Sequence, residues 1–578
     1  MQRRQLLEGG LALAGASALA AGAAGASRRR GWVMPGEAGW PGEEAWARLS
    51  AAVGGRLSKG RLPDLAKAEA EGVLLDPYWI SAHPGVTESS GWLDAWRSTP
   101  SAFVLAAESP ADVAAAVRFA RAHKVRLAVR SAGHSYLGLS CAPGSLLVWL
   151  HPMGEVEVHD AFIPRGGSGP GVPGLSAGGG AIWMHAYQAA SVKAGRYVQG
   201  GGCTTVGVGG LVLGGGFGSY SKAFGLAAAS LLEAEIVTAE GAVRTVNAHR
   251  DPELFWALKG GGGGTFGIVT RFTLATHDLP ETFGSTQGRF QAKSEGAYQR
   301  LIAAFLDTYA GSLHNPHWGE QIHFSPERQL STSMVFQGLT GAQARAAWAP
   351  LVSFITAHPE DYSVEQPFAA MPLPAREFWN ESFLARFAPQ AIEPDKRARA
   401  LAGDYWWAGD SDQVGVFWHA YASAWLPEKL LDPAERPRLV SAIAAASRLY
   451  GFSLHFNKGL SGASREVREA ALSCATNPQV ASAFALAIIA DAGPPLYFGV
   501  QPNMAEARAR AKLVHSAMDA LLLAAPGAGS YLNETDYFQA NWRRAFWGPN
   551  YPRLLRVKRR VDPEELFEVH HGVGSSEA

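Results

Sequence analysis

The sequence predicts an α+β chain of two lobes. Three observations lead there. The chain has 578 residues, too many for one ordinary core. Helical and strand patterns mix without the strict alternation of a doubly wound sheet. Glycine clusters also stop near Glu281, where aromatic strands and amphipathic helices take over.

The elements can be taken in order. MQRRQLLEGG carries Arg3 and Arg4, then an apolar run from Leu11 to Ala23 and an A-x-A site at Ala24–Ala26. That run is short and alanine-rich. It reads as a twin-arginine export signal over residues 1–26, not a membrane span, and predicts a periplasmic or secreted protein. Residues 27–96 form an N-terminal lead-in. Ser109 and Pro110 supply an N-cap and a first helical residue, followed by helical spacing at Val113 and Val117. VRLAVR alternates as a strand and empties into the loop SAGHSYLGLS. LSAGGGAIWMHAYQAASVKAG reads as strand, glycine turn and helix, and LLEAEIVTAEGAVRTVN as a hairpin turning at Glu240-Gly241. Asp251 and Pro252 start a further helix, and a glycine loop then runs into the strand after Gly267. Residues 97–280 are read as the first domain, 281–525 as the second and 526–578 as a C-terminal segment rich in polar aromatics.

Lys+Arg and Asp+Glu are 51 each, so no basic field favours nucleic acid or an anionic membrane. Only Cys141, Cys203 and Cys474 are present, so disulfides do not build this fold. A Cys141–Cys474 bridge stays open, and Cys203 is left for chemistry.

Two stretches carry that chemistry. In Arg130-Ser131-Ala132-Gly133-His134-Ser135-Tyr136-Leu137-Gly138, a strand ends in small residues whose N–H groups can form an anion nest, with His134 projecting. In QGGGCTTVGVGGLVLGGGFG, Gln199 to Gly218, half the residues are glycine, so the backbone itself approaches a large ligand. Its interleaved Val, Leu and Phe are those of a packed segment, not a linker. Other motifs are weaker. Gly262 to Gly267 fits G-x-G-x-x-G but follows a helix and precedes a strand, so the match reads as chance. Gly174 to Gly178 fits G-x-S-x-G, but the turn falls later. No P-loop, H-E-x-x-H or paired C-x-x-C exists, which leaves no support for a metal site.

The blocks Arg130–Ser140 and Gly200–Gly218 resemble the two FAD-binding loops of the vanillyl-alcohol-oxidase, PCMH-type flavoproteins. The ending FWGPNYPRLLRVKRRVDPEELF resembles the berberine-bridge-enzyme-like branch, and NPQVASAFALAIIA and VHHGVGS look most like its isoamyl-alcohol-oxidase-like members. The resemblance implies a PCMH-type FAD-binding domain and a substrate domain with an antiparallel sheet covered by helices. It implies FAD attached twice, through His134 and Cys203. It also implies a lining of Arg130, Ser131, Ala132, Gly133, Ser135, Gly138, Val206, Gly207, Gly209, Gly210, Gly267, Ile268, Val269, Asn550 and Tyr551. Leu211 stands where many relatives carry a charge-stabilising histidine. Glu534 stands where a tyrosine commonly serves as base.

The resemblance therefore implies an oxidase that removes hydride from a CH–OH donor, an alcohol or a sugar, and passes electrons to molecular oxygen. A dehydrogenase with another acceptor, or a binding protein on this fold, are the alternatives. Glu534 is the first candidate base, with Tyr537 or Tyr531 in that role if Glu534 pairs with Arg543. His455, Asn457 and Lys458 either face the substrate or are ordinary strand residues. Tyr405, Trp406 and Trp407 are candidates for the substrate wall.

Overall fold

The computed structural model describes residues 31–397, 400–499 and 501–576; the export signal read in residues 1–26 lies outside them. The fold is mixed α and β. The first lobe holds two sheets. The smaller has four strands, Leu57–Lys59, Phe103–Ala106, Leu146–Trp149 and Leu127–Arg130 in spatial order, the last three parallel. The larger has five antiparallel strands in the order Val243–Asn247, Leu231–Val237, Ile268–Ala275, Val172–Gly178 and Val156–Phe162.

Local sequence explains these elements. The helix Pro110–His123 starts with a reciprocal box in which Ser109 Oγ accepts from Asp112 N, and Asp112 Oδ2 accepts from Ser109 N. Val113, Val117 and Ala120 form its buried stripe, and left-handed Lys124 ends it. That helix returns the chain to Leu127–Arg130, whose C-terminal end delivers the His134 loop. The G-x-S-x-G match is no nucleophile elbow. Ser176 lies inside the strand Val172–Gly178, its hydroxyl within 2.8 Å of both His159 Nε2 and Thr273 Oγ1.

The second lobe is a nine-stranded sheet. Its order is Tyr362–Pro374, Thr282–Ala292, Gln329–Gln337, Trp318–Phe324, Phe452–His455, Ala483–Gly493, Val416–Pro427, Ser89–Trp92 and Trp96–Arg97. Only the Ser89–Trp92 pairing with Val416–Pro427 is parallel. The lead-in thus places the strand Leu57–Lys59 in the first lobe and then crosses to the second. Helices Glu295–Thr308, Gly341–Thr356, Arg436–Leu449 and Met504–Leu522 cover the sheet and bury Phe305, Trp348, Ile443 and Val514 against it. The C-terminal helices Trp542–Trp547 and Tyr551–Val561 return to the first lobe, burying Trp542, Trp547 and Leu554 in its core. Among the described residues no helix is long and apolar enough to cross a membrane. The three cysteines are free thiols, so Cys141 and Cys474 do not pair.

One carboxylate ties the covering helices to the sheet. Asp491 receives Arg510 Nε at 2.9 Å, lies 2.6 Å from His419 Nδ1 and accepts from Tyr450 OH. Burial alone would push Asp491 up, but the hydrogen bonds from His419, Arg510 and Tyr450 outweigh it and hold it well below the usual carboxylate range. A depressed carboxylate contributes stability above its unfolded pKa and loses it as pH falls through the folded value. Asp491→Asn is expected to cost about 3 kcal/mol at neutral pH. In urea unfolding the wild-type advantage should be full above the ordinary value of 3.8 and shrink below it.

Candidate active site

A cavity of about 1410 Å³ lies where the lobes meet. Its volume exceeds the roughly 300–1,000 Å³ of an ordinary ligand pocket, leaving room for a large cofactor and a substrate together. The first lobe supplies Ser131 to Ser135 and Gly138 from one loop, Cys203, Val206, Gly207, Gly209 and Gly210 from the glycine segment, and Gly267, Ile268 and Val269. The second lobe supplies Glu320, Asp410, His455, Asn457 and Lys458. The C-terminal segment adds Tyr531, Glu534 and Tyr537.

Glycine is required in the segment because of what its backbone touches. A Cβ on Gly200 would stand 2.1 Å from the Trp183 ring, and one on Gly207 would stand 2.4 Å from Ser131 Oγ. Tyr187 OH donates to Gly201 O at 2.7 Å, and Trp407 Nε1 donates to Gly202 O at 3.1 Å. The peptides leading to Cys203 are therefore held from both sides. Trp406 and Trp407 line the cavity, while Tyr405 lies outside the lining and accepts Tyr78 OH at its carbonyl.

His134 Nε2 sits 3.0 Å from Thr205 Oγ1. Burial, and next the charge of Arg130, bring His134 down to about 4, so its imidazole is neutral at pH 7. Cys203 is pushed up by burial and then by the Asp410 carboxyl lying against it. Asp410 is itself raised to about 6, mainly by burial.

Glu534 Oε2 accepts from Lys458 Nζ at 2.5 Å. Arg543, the partner anticipated from sequence, instead donates to Tyr551 OH at 3.2 Å and Ser575 O at 3.0 Å. Burial lifts Tyr531 far above an ordinary phenol, and it accepts from Asn533 Nδ2 at 3.1 Å. Tyr537 stacks on His570 at 3.8 Å, and burial raises its pKa while the charge of Arg126 lowers it. His455 is held neutral by burial, and its Nδ1 is a buried atom without a hydrogen-bond partner, as is Asn457 Oδ1.

Three expected cofactor contacts are elsewhere. The Arg130 guanidinium is fully buried outside the cavity lining, donating to Ile80 O at 2.8 Å, His83 O at 3.1 Å and Val86 O. It braces the loop rather than facing the cavity, gathering the carbonyls of Ile80, His83, Val86 and Ala132 on one guanidinium. Asn550 Nδ2 donates to Thr476 O at 2.8 Å, and Tyr551 OH accepts from Arg543 and from Gly574 N; neither residue lines the cavity. They anchor the tail whose His570 and His571 do line it. The run Gly262–Gly267 sits between a helix and a strand, as expected, the reverse of a dinucleotide fingerprint; Gly262, Gly263, Gly264 and Gly267 nevertheless line the cavity.

Glu320 was missed by sequence reasoning. It lies within the strand Trp318–Phe324 at a left-handed φ of 61°. Its Oε1 accepts from Ser219 Oγ at 2.5 Å and Asn457 Nδ2 at 3.3 Å. Burial raises its pKa. A strand glutamate in that conformation marks stored strain, as found at functional sites. Asp410 was missed too, since nothing local in AGDSDQ distinguishes it.

Residues 100–247 match the FAD binding domain family, and residues 530–574 match the family described as berberine and berberine like. The FAD-linked oxidoreductase ZEB1 of Gibberella zeae is 29% identical over 496 residues, spanning 82% of this chain and 76% of that protein. The VAO-type flavoprotein MtVAO615 from Myceliophthora thermophila C1 superposes with a TM-score of 0.77 at 24% identity, covering 94% of this chain and 97% of that one. The glucooligosaccharide oxidase of Acremonium strictum, described with a 6-S-cysteinyl, 8α-N1-histidyl FAD, has a TM-score of 0.66 at 18% identity, covering 92% and 98%.

The lining fits FAD: Ser131 Oγ is buried without a partner beside a glycine-lined backbone, and a neutral imidazole and a thiol face the same space. Gly210 tests this placement. A Cβ there meets no atom within 4 Å, and the residue sits in the helix Val208–Leu213. Gly210→Leu gains helix propensity and puts a bulky side chain at a cavity-lining position. The variant should melt within a few degrees of wild type yet lose most of the flavin absorbance of the purified protein.

Proposed function

We propose, for a chain that belongs to the vanillyl-alcohol-oxidase-type, berberine-bridge-enzyme-like FAD-linked oxidoreductases, that it oxidises a CH–OH donor, an alcohol or a sugar, with dioxygen reduced to hydrogen peroxide. The observation that carries this reading is the Lys458–Glu534 ion pair lining the same cavity as Cys203. FAD, when bound, supplies a hydride acceptor and electron store. His134 Nδ1 and Cys203 Sγ hold it covalently, the former kept neutral by burial. Two bonds keep the cofactor from being lost after export, which the paired Arg3 and Arg4 suggest for this chain. Ser131 and the Val206–Gly210 backbone hold the pyrophosphate end.

Glu534 takes the substrate hydroxyl proton as hydride leaves the carbinol carbon. Lys458 orients that carboxylate and draws the alkoxide charge toward it. Tyr531 is a poor base, because burial opposes its ionisation. Asn457 Oδ1 and His455 Nδ1 offer unpartnered polar atoms to substrate hydroxyls. Leu211 adds an apolar side chain to the lining, so stabilisation of negative charge near the ring falls to backbone N–H groups and Lys458.

A peroxide-coupled screen of alcohols and oligosaccharides on the purified holoprotein should yield a turned-over CH–OH donor. No peroxide with any of them, alongside reduction of an artificial dye, would move the protein to the dehydrogenases. With a substrate in hand, Glu534→Gln should slow anaerobic flavin reduction by roughly 10²–10⁴-fold, the usual worth of general-base help, and Tyr531→Phe by less than about tenfold. Equal losses in the two variants would take the proton-accepting role away from Glu534.

A further inference from the structure

A thiol bonds to a flavin ring only after it has given up its proton, because the thiolate is the nucleophile. Cys203 is poorly placed to do so unaided, since burial and the carboxylates around it favour the protonated thiol. We infer that Asp410 is the base that takes the Cys203 proton, so that this chain catalyses its own cysteinyl attachment. The inference rests on the two-point attachment proposed above.

The geometry singles out Asp410. It lies on the turn Ala408–Gln413, directly after the strand Tyr405–Trp407. Trp407 pins that turn to the peptide beside Cys203 through its 3.1 Å hydrogen bond to Gly202 O. The Asp410 carboxyl lies against the Cys203 thiol, and both line the cavity. Its Oδ2 is buried without a hydrogen-bond partner. The competing carboxylates are engaged: Glu320 accepts from Ser219 and Asn457, and Glu534 from Lys458. Burial lifts Asp410 to about 6, a value suited to accepting a proton near neutral pH.

In the step, the Cys203 S–H bond breaks and its proton passes to Asp410. Sγ forms a bond to ring carbon C6, and the hydrogen carried by C6 leaves as a proton. The two electrons released go through the ring to dioxygen, which with two protons becomes hydrogen peroxide. Histidyl attachment does not involve Asp410.

Trypsin separates the two links. His134 falls in the peptide 131–165 and Cys203 in the peptide 197–222. Acid-denatured, digested wild type should give both peptides joined through flavin. Asp410→Asn should give flavin on 131–165 alone, with cysteinyl attachment slowed at least about tenfold and Asp410→Glu restoring part of it. The histidyl link is the internal control for a folded, loaded site; if Asp410→Asn does not load, Asp410→Ala is compared in the same way. Undiminished cysteinyl flavin in the histidyl-linked variant overturns the inference and leaves two-point attachment standing. Wild type without flavin on 197–222 overturns both.

Discussion

The site depends on one constraint: the glycine segment packs against Trp183 at Gly200 and against Ser131 at Gly207. At Gly200 and Gly207 that approach leaves no space for a Cβ. Trp183 is fully buried in the first-lobe core, so the segment rests on something that cannot yield. Cys203 is thereby fixed relative to the His134 loop, because Gly207 touches Ser131 and Thr205 touches the His134 ring. Two groups proposed to hold one rigid ligand need such a common reference. A flexible glycine linker would lose it.

Buried cations perform the same service where the chain crosses between elements. Lys222 Nζ donates to the carbonyls of Phe456 at 2.5 Å, Phe484 at 3.1 Å and Gly459, tying the glycine segment's end to the second lobe's sheet. Lys558 Nζ gathers Thr265 O at 2.8 Å and Phe567 O at 2.6 Å, with Asp562 at 2.6 Å, and so anchors the tail to the Gly262–Gly267 loop. Arg130 does this for the residues around Val86. Each gathers several main-chain carbonyls from separate segments onto one cation, and a buried carbonyl without a donor costs about 1–3 kcal/mol. Desolvation opposes the cation, pulling Lys222 down to about 7, but its removal would orphan several acceptors at once.

This pattern explains what was legible in the sequence. Ser109-Pro110 and Asp251-Pro252 announce helices through contacts three residues away, and both helices begin there. The glycine segment and His134 were visible because their composition departs from that of any packed element. Glu534 was visible only by position within a motif, and the arginine offered as its alternative partner, Arg543, is not the residue it pairs with. Lys458 lies 76 residues away, while the nearby Arg543 is drawn to Tyr551 and Ser575. Arg130 follows the strand into the cavity-lining loop, and Asn550 and Tyr551 sit in the C-terminal motif, yet all three side chains turn to backbone carbonyls or a neighbouring side chain. A place in a motif does not say which way a side chain faces. Asp410 and Glu320 had no local signature at all, because what distinguishes them is tertiary.

Glu320 shows why such a residue is worth its cost. A non-glycine residue in the left-handed region carries roughly 1–3 kcal/mol of strain. Here it persists because Ser219 and Asn457 both hold the carboxylate, and because Gly319 leaves no room for a side chain against Ser219 O. An undistorted strand would give Glu320 ordinary alternation. The left-handed twist instead accompanies a buried carboxylate facing Lys458 and Glu534, whose charges act on it in opposite senses. Three carboxylates and one ammonium then surround one end of the cavity. Charge developing on the proposed substrate would meet dipoles and ions already in place. The strain at Glu320 contributes fixed electrostatics to the site, and the strand could not supply them in its relaxed form.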